Sequence, residues 1–140
     1  MQSLLERFLG YVRFETRPDD SNPSSPSSVS QMIFAERLAD ELEKTGLSEV
    51  TLDGNGYVMA TLPANNGSRG TVTGFIAHMD TSPEAPSANI NPLVHPGYDG
   101  NDLMLNPERR IILSPAEFPE LKKYVGQTLI TTDGTTLLGA

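Results

Sequence analysis

The chain has 140 residues, 37% hydrophobic and 20% charged, with ten Lys and Arg against eighteen Asp and Glu for a net charge of −8. That balance repels nucleic-acid phosphates and anionic membrane surfaces, and no basic cluster larger than Arg109-Arg110 offsets it, so neither nucleic acid nor membrane is an expected partner. The absence of Cys excludes disulfides and thiolate metal ligands and fits a reducing compartment. Charges at Glu6 and Arg7 interrupt the first apolar pattern, so the start, from Met1-Gln2 onward, is not a signal peptide. No apolar run approaches the roughly 18 residues of a membrane span. The expected setting is cytoplasmic.

In chain order, Leu4, Leu5, Phe8, Leu9 and Val12 recur at helical spacing and predict an amphipathic helix with one buried stripe, ended by Pro18. Residues 18–28 are rich in Pro, Ser and Asp and read as a loop. Ser28-Val29-Ser30-Gln31 has capping-box form. Phe34, Ala35, Leu38, Ala39 and Leu42 then lie on one helical face, and Gly46 suits a left-handed C-terminal cap.

The period then changes. Residues 49–52 and 57–62 flank Asp53-Gly54-Asn55-Gly56, a hairpin signal. After a polar loop over 63–70, Thr71 to Ala77 reads as a buried strand, short and apolar towards its end, running into His78-Met79-Asp80-Thr81. Residues 82–113 show little regular pattern beyond a short strand over 110–113. Ser114-Pro115-Ala116-Glu117 suits a helical turn. Thr128 to Thr132 and Thr135 to Leu138 flank Asp133-Gly134 as a second hairpin. Helices followed by mixed strands predict an α/β fold, with helices packed on a mixed sheet. The tail stays apolar through Leu137-Leu138-Gly139-Ala140, and natural termini usually fray at the surface, so a cut chain is the expectation.

His78-Met79-Asp80 carries the sharpest chemical signal. Residues two apart on a strand face the same side. A metal-bound His commonly donates its other ring N–H to a carboxylate, which fixes the tautomer. The end of a buried strand is also where α/β sheets place ligands. The competing reading is a hydrogen-bonded His at a turn that Asp80 caps. His95, before Pro96, reads as a solvated loop residue, and Asp133 as a turn residue beside Gly134. There is no Gly-x-Ser-x-Gly elbow, no phosphate-binding Gly-rich loop with Lys and no dinucleotide fingerprint. Cysteine catalysis is excluded.

The segments taken together resemble peptidase T. The likeness lies in Leu4 to Leu9, Gly56 to Asn65, Gly74 to Pro83 with Asn89-Ile90-Asn91-Pro92, and Gly126 to Gly134 with Leu137 to Ala140. It covers nearly the whole chain, and the loop over 18–28 is its least family-like part.

The resemblance implies a tripeptide aminopeptidase with two zinc ions, of which residues 1–140 form the N-terminal part of the catalytic domain. It implies that His78 binds one zinc and that Asp80 supports that His. The zinc would polarise the scissile carbonyl and lower the pKa of a water towards about 7. It also implies that the metal-bridging Asp, the general-base Glu, the other ligands and the lid domain lie outside these residues. A catalytic zinc needs about three protein ligands, so the chain alone is expected neither to hold zinc tightly nor to hydrolyse peptides. The alternatives are a dipeptidase or amino-acid-conjugate deacylase of the same clan, or a binding module without catalysis.

Overall fold

A computed structural model describes residues 3–67 and 70–139. Met1, Gln2 and the terminal Ala140, on which two of the expectations above fall, lie outside the described residues. The chain is mixed α/β and divides into two compact units, residues 14–83 and residues 4–13 with 84–139.

In the first unit the long helix is α2 (Val29–Lys44). Ser28 precedes it in extended conformation, and the Ser28 N–H donates to the Gln31 side-chain oxygen (3.3 Å). The buried Gln31 amide in turn donates to the Thr16 carbonyl (2.9 Å), which ties the incoming loop to the first turn of the helix. At the other end, Gly46 takes φ +90°. Its N–H bonds Glu43 O (3.0 Å), and the Leu47 N–H bonds Leu42 O (3.2 Å). These are the two bonds that satisfy a helix's last carbonyls when the next residue is left-handed.

The helix packs on an antiparallel hairpin of β1 (Ser48–Leu52) and β2 (Val58–Thr61). Both Asn55 and Tyr57 donate backbone N–H groups to the Asp53 carboxylate (2.9 Å each), and Gly56 supplies φ +82°. The turn residues therefore build the expected hairpin. Phe34 and Ala35 are buried, and the Phe34 ring lies 4.9 Å from Phe14 between centroids, with the Arg37 guanidinium 5.3 Å from the Phe14 ring.

The predicted strand over Thr71–Ala77 does not form. No strand is assigned there, and Val72, Phe75 and Ile76 are 93%, 95% and 101% exposed. A continuous apolar run is a strand sequence only when neighbours pair both edges and layers cover both faces. The described residues supply neither.

The second unit begins with α1 (Leu4–Tyr11), shorter than its apolar pattern and ending well before Pro18. Its expected buried stripe is absent: no residue within the helix is buried, Leu4 is 81% exposed, and Val12, one residue past the end, is the buried one. Two further antiparallel pairs follow. In the first, β3 (Leu93–His95) pairs with β6 (Leu129–Thr131), with Val94 opposite Ile130. In the second, β4 (Leu103–Asn106) pairs with β5 (Ile111–Leu113). The Ser114 turn leads into a 3₁₀ helix, Pro119–Tyr124. Ile90 and Tyr98 are buried in this unit, and Tyr98 exchanges backbone hydrogen bonds with Gln127 and Gly126 (2.8 and 2.7 Å).

The second predicted hairpin is also replaced. The 129–131 run pairs with β3, 36 residues away, rather than with 135–138, and Asp133-Gly134 makes a bend instead of a strand-to-strand turn. Gly134 has φ +79°, and a Cβ there would sit 2.6 Å from Ile111 Cγ2, so the bend needs glycine. The Asp133 carboxylate accepts from the Thr135 hydroxyl, the Thr135 N–H (2.9 Å) and the Asn106 amide (3.4 Å). The Thr135 bonds, with help from Arg109, hold the Asp133 carboxyl below its ordinary range.

Two predictions follow from this packing. Phe34→Ala should cost about 3–5 kcal/mol in urea unfolding, as truncation of a buried aromatic does, whereas Ile33→Ala, half-exposed on the same helix, should be near neutral. For Asp133, a carboxylate with a depressed folded pKa stabilises above its unfolded value of about 3.9. That stabilisation fades as pH falls through the lower folded value. Wild type should therefore exceed Asp133→Asn in stability at neutral pH, and the gap should close below about pH 4. A gap that stayed constant with pH would show that the Asp133 charge has no part in it.

Candidate functional site

The two residues singled out from the sequence meet in the first unit. His78 Nδ1 lies 2.9 Å from the Asp80 backbone carbonyl oxygen and 3.1 Å from Asp80 Oδ1. Both neighbours are acceptors, so Nδ1 must carry the proton and donate to them. In the neutral ring the proton is then off Nε2, whose lone pair is directed away from Asp80. A carboxylate thus sets the tautomer that a metal ligand needs. The contact is made without a strand. No strand is assigned at 78–80, so the side chains meet through local backbone geometry outside a ladder. The pair is open to solvent, with side chains 69% and 50% exposed.

The arrangement presents one imidazole nitrogen and does not complete a cage. No group of three or more His, Asp or Glu residues capable of holding a metal occurs among the described residues. An open hollow in the same unit, lined by Glu15, Arg17, Asp19, Asp20, Ser28 and Ser30, excludes both His78 and Asp80. The donor set therefore fits one ligand with its supporting carboxylate, fewer than the roughly three protein ligands of a catalytic zinc.

His95 is placed differently from its sequence reading. It lies in β3, not in a solvated loop, and its Nε2 is 2.9 Å from the Thr131 hydroxyl across the β3–β6 pair. Only the long-range pairing shows this, because Pro92 and Pro96 on either side give the local appearance of a loop. Asp133 does serve its turn, as expected, but it also reaches Asn106. That partner is 27 residues away and gives no local signal.

The tautomer can be checked directly. Ring nitrogen shifts in ¹⁵N NMR should report Nδ1 as the protonated nitrogen of neutral His78. Asp80→Ala should lower that population without abolishing it, because the backbone carbonyl at 2.9 Å remains as acceptor. An unchanged population would remove the carboxylate from this role.

No family model matches the chain. Curated relatives match it along essentially all of its length. Peptidase T of Caldanaerobacter subterraneus subsp. tengcongensis is 55% identical over 140 residues, which is 100% of this chain and 34% of the relative. Peptidase T of Geobacillus kaustophilus is 54% identical over 139 residues, 99% of this chain and 34% of the relative. Peptidase T of Bacillus velezensis is 50% identical over 137 residues, 98% and 33% respectively. The chain therefore spans about a third of the length of the curated relatives it matches.

Proposed function

We propose that this chain, which belongs to the peptidase T family, is part of a zinc-dependent aminopeptidase that releases the N-terminal residue of tripeptides. The observation that carries the reading is the His78–Asp80 contact, in a chain half identical to peptidases along its whole length. His78 is the metal ligand, through Nε2. Asp80 is the supporting carboxylate: it holds the proton on Nδ1, orients the ring and makes Nε2 a stronger donor. Zinc bound in such a site supplies a Lewis acid at the scissile carbonyl and lowers the pKa of water. The remaining ligands of the two-zinc site and the general base belong to the two thirds of the family's length that this chain does not span.

The alternative within the clan is a dipeptidase or a deacylase of amino-acid conjugates. The match to relatives named peptidase T favours the tripeptidase. A cytoplasmic setting is part of the proposal, supported by the absence of Cys. No helix among the described residues is long and apolar enough to cross a membrane. The net charge of −8 argues against nucleic acid as a partner.

The test is made at two lengths. In a protein of the full family length carrying this segment, hydrolysis should favour tripeptides over dipeptides and longer peptides. Asp80→Asn should weaken zinc affinity by about 10–100-fold, the usual effect of losing such a partner, and His78→Ala should abolish activity. The 140-residue chain alone should show neither hydrolysis nor stoichiometric zinc. Tight zinc on the short chain, lost on His78→Ala, would refute the single-ligand assignment. Preference for dipeptides in the long protein would move the activity to the alternative.

A further inference from the structure

An Asn side chain is lost when the backbone nitrogen of the next residue attacks its Cγ, so the following residue sets its chemical stability. Pro follows Asn22, Asn91 and Asn106 and has no N–H to give up. Ile90 follows Asn89 and places a branched Cβ beside the attacking nitrogen. Only Asn55 and Asn66 precede Gly, which has no Cβ to crowd the approach.

The fold treats these two Asn-Gly pairs differently. Asn55-Gly56 belongs to the β1–β2 turn, where the Gly56 N–H donates to the Asp53 carbonyl (3.1 Å) and the Asn55 N–H to the Asp53 carboxylate (2.9 Å). Gly56 is buried, and a Cβ built on it would lie 3.6 Å from Pro26 Cγ. Attack by the Gly56 nitrogen therefore requires its hydrogen bond to break and the turn to open. Asn66-Gly67 lies past the end of β2, outside any helix or strand, with both residues exposed. No carbonyl among the described residues accepts the Gly67 N–H. A Cβ built on Gly67 would meet nothing within 4 Å. The Gly67 nitrogen is thus open to base, and the space around it accommodates a five-membered ring.

We propose that Asn66-Gly67 is a site of spontaneous modification, at which Asn66 deamidates while Asn55 is protected by the fold. The Gly67 nitrogen bonds to Asn66 Cγ as the Cγ–Nδ2 bond breaks, and Nδ2 leaves as ammonia with the Gly67 amide proton. Water then opens the resulting succinimide. Opening at Cγ gives aspartate in the normal chain, and opening at the backbone carbonyl gives isoaspartate, with the main chain routed through Cγ. The net change is one water taken up and one ammonia released, and it adds a negative charge to a chain already at −8. The proposal stands independently of the peptidase reading.

The test is peptide mapping of the 140-residue chain over a time course, folded and then in denaturing urea. Trypsin leaves both pairs in one peptide, residues 45–69, so fragmentation of that peptide assigns the modified residue. In the folded chain, product should accumulate at Asn66 at least about fivefold faster than at Asn55, the factor that one hydrogen bond of typical net strength sets. The Asn66 rate should rise as pH is raised above neutrality, because the attacking nitrogen must lose its proton. In urea the turn is gone and the two rates should converge. Asn66→Gln, whose longer side chain cannot close the five-membered ring, should suppress the acidic species that ion exchange resolves from the aged wild type. An intact Asn66, or equal rates at the two residues in the folded chain, would overturn the proposal. A rate difference that persisted unchanged in urea would overturn the role of the fold in protecting Asn55.

Discussion

A β-strand persists only when its backbone N–H and C=O groups find partners and its apolar face finds cover. Within the described residues that condition is met by three separate two-stranded pairs. Two strands alone are marginal in water unless something packs on them, and the three pairs differ in what they have. The β1–β2 hairpin has α2 lying on it, with Phe34 and Ala35 buried. It is built by short-range signals at every step, from the Gln31 reach-back to the Asp53-Gly56 turn. The β3–β6 and β4–β5 pairs lie in the other unit, whose buried groups include Val12, Ile90 and Tyr98. The 71–77 run has neither partner nor cover, and its apolar side chains stand in solvent.

The same condition explains what could be read from the sequence. Helix α2 and its hairpin were legible because each signal acts within a few residues: a cap, a 3.6-residue stripe, a left-handed glycine, an Asp that gathers turn amides. The pairing of β3 with β6 was not. Three residues between prolines carry almost no period, and the partner strand is 36 positions away, so nothing local distinguishes Leu93-Val94-His95 from a loop. Asp133-Gly134 misled for the opposite reason. Its local chemistry does make a bend, with Thr135 amide and hydroxyl on the carboxylate. The bend serves packing against Ile111, however, and does not return the chain to the 129–131 strand. At 71–77 the composition was that of a buried strand, and burial depends on neighbours that the period of a sequence cannot supply.

The candidate site divides along the same line between local and distant. Orientation of His78 is local. Asp80 is two residues away, its carbonyl and carboxylate both lie within hydrogen-bonding reach of Nδ1, and the contact forms although the preceding segment is not a strand. The His-x-Asp spacing thus brings the two side chains together without the strand alternation expected from the sequence. Coordination, by contrast, is distant. A metal cage needs several ligands from separate parts of a chain, held to within a fraction of an ångström by packing, and an exposed imidazole on an uncovered segment lacks that support. A dyad of this kind can set a tautomer by itself, but it offers one ring nitrogen where a catalytic zinc needs about three protein ligands. Tight binding would require the segment before His78 to be fixed as well as His78 to be correctly protonated. The exposure of Val72, Phe75 and Ile76 shows that packing among the described residues does not cover the segment before His78.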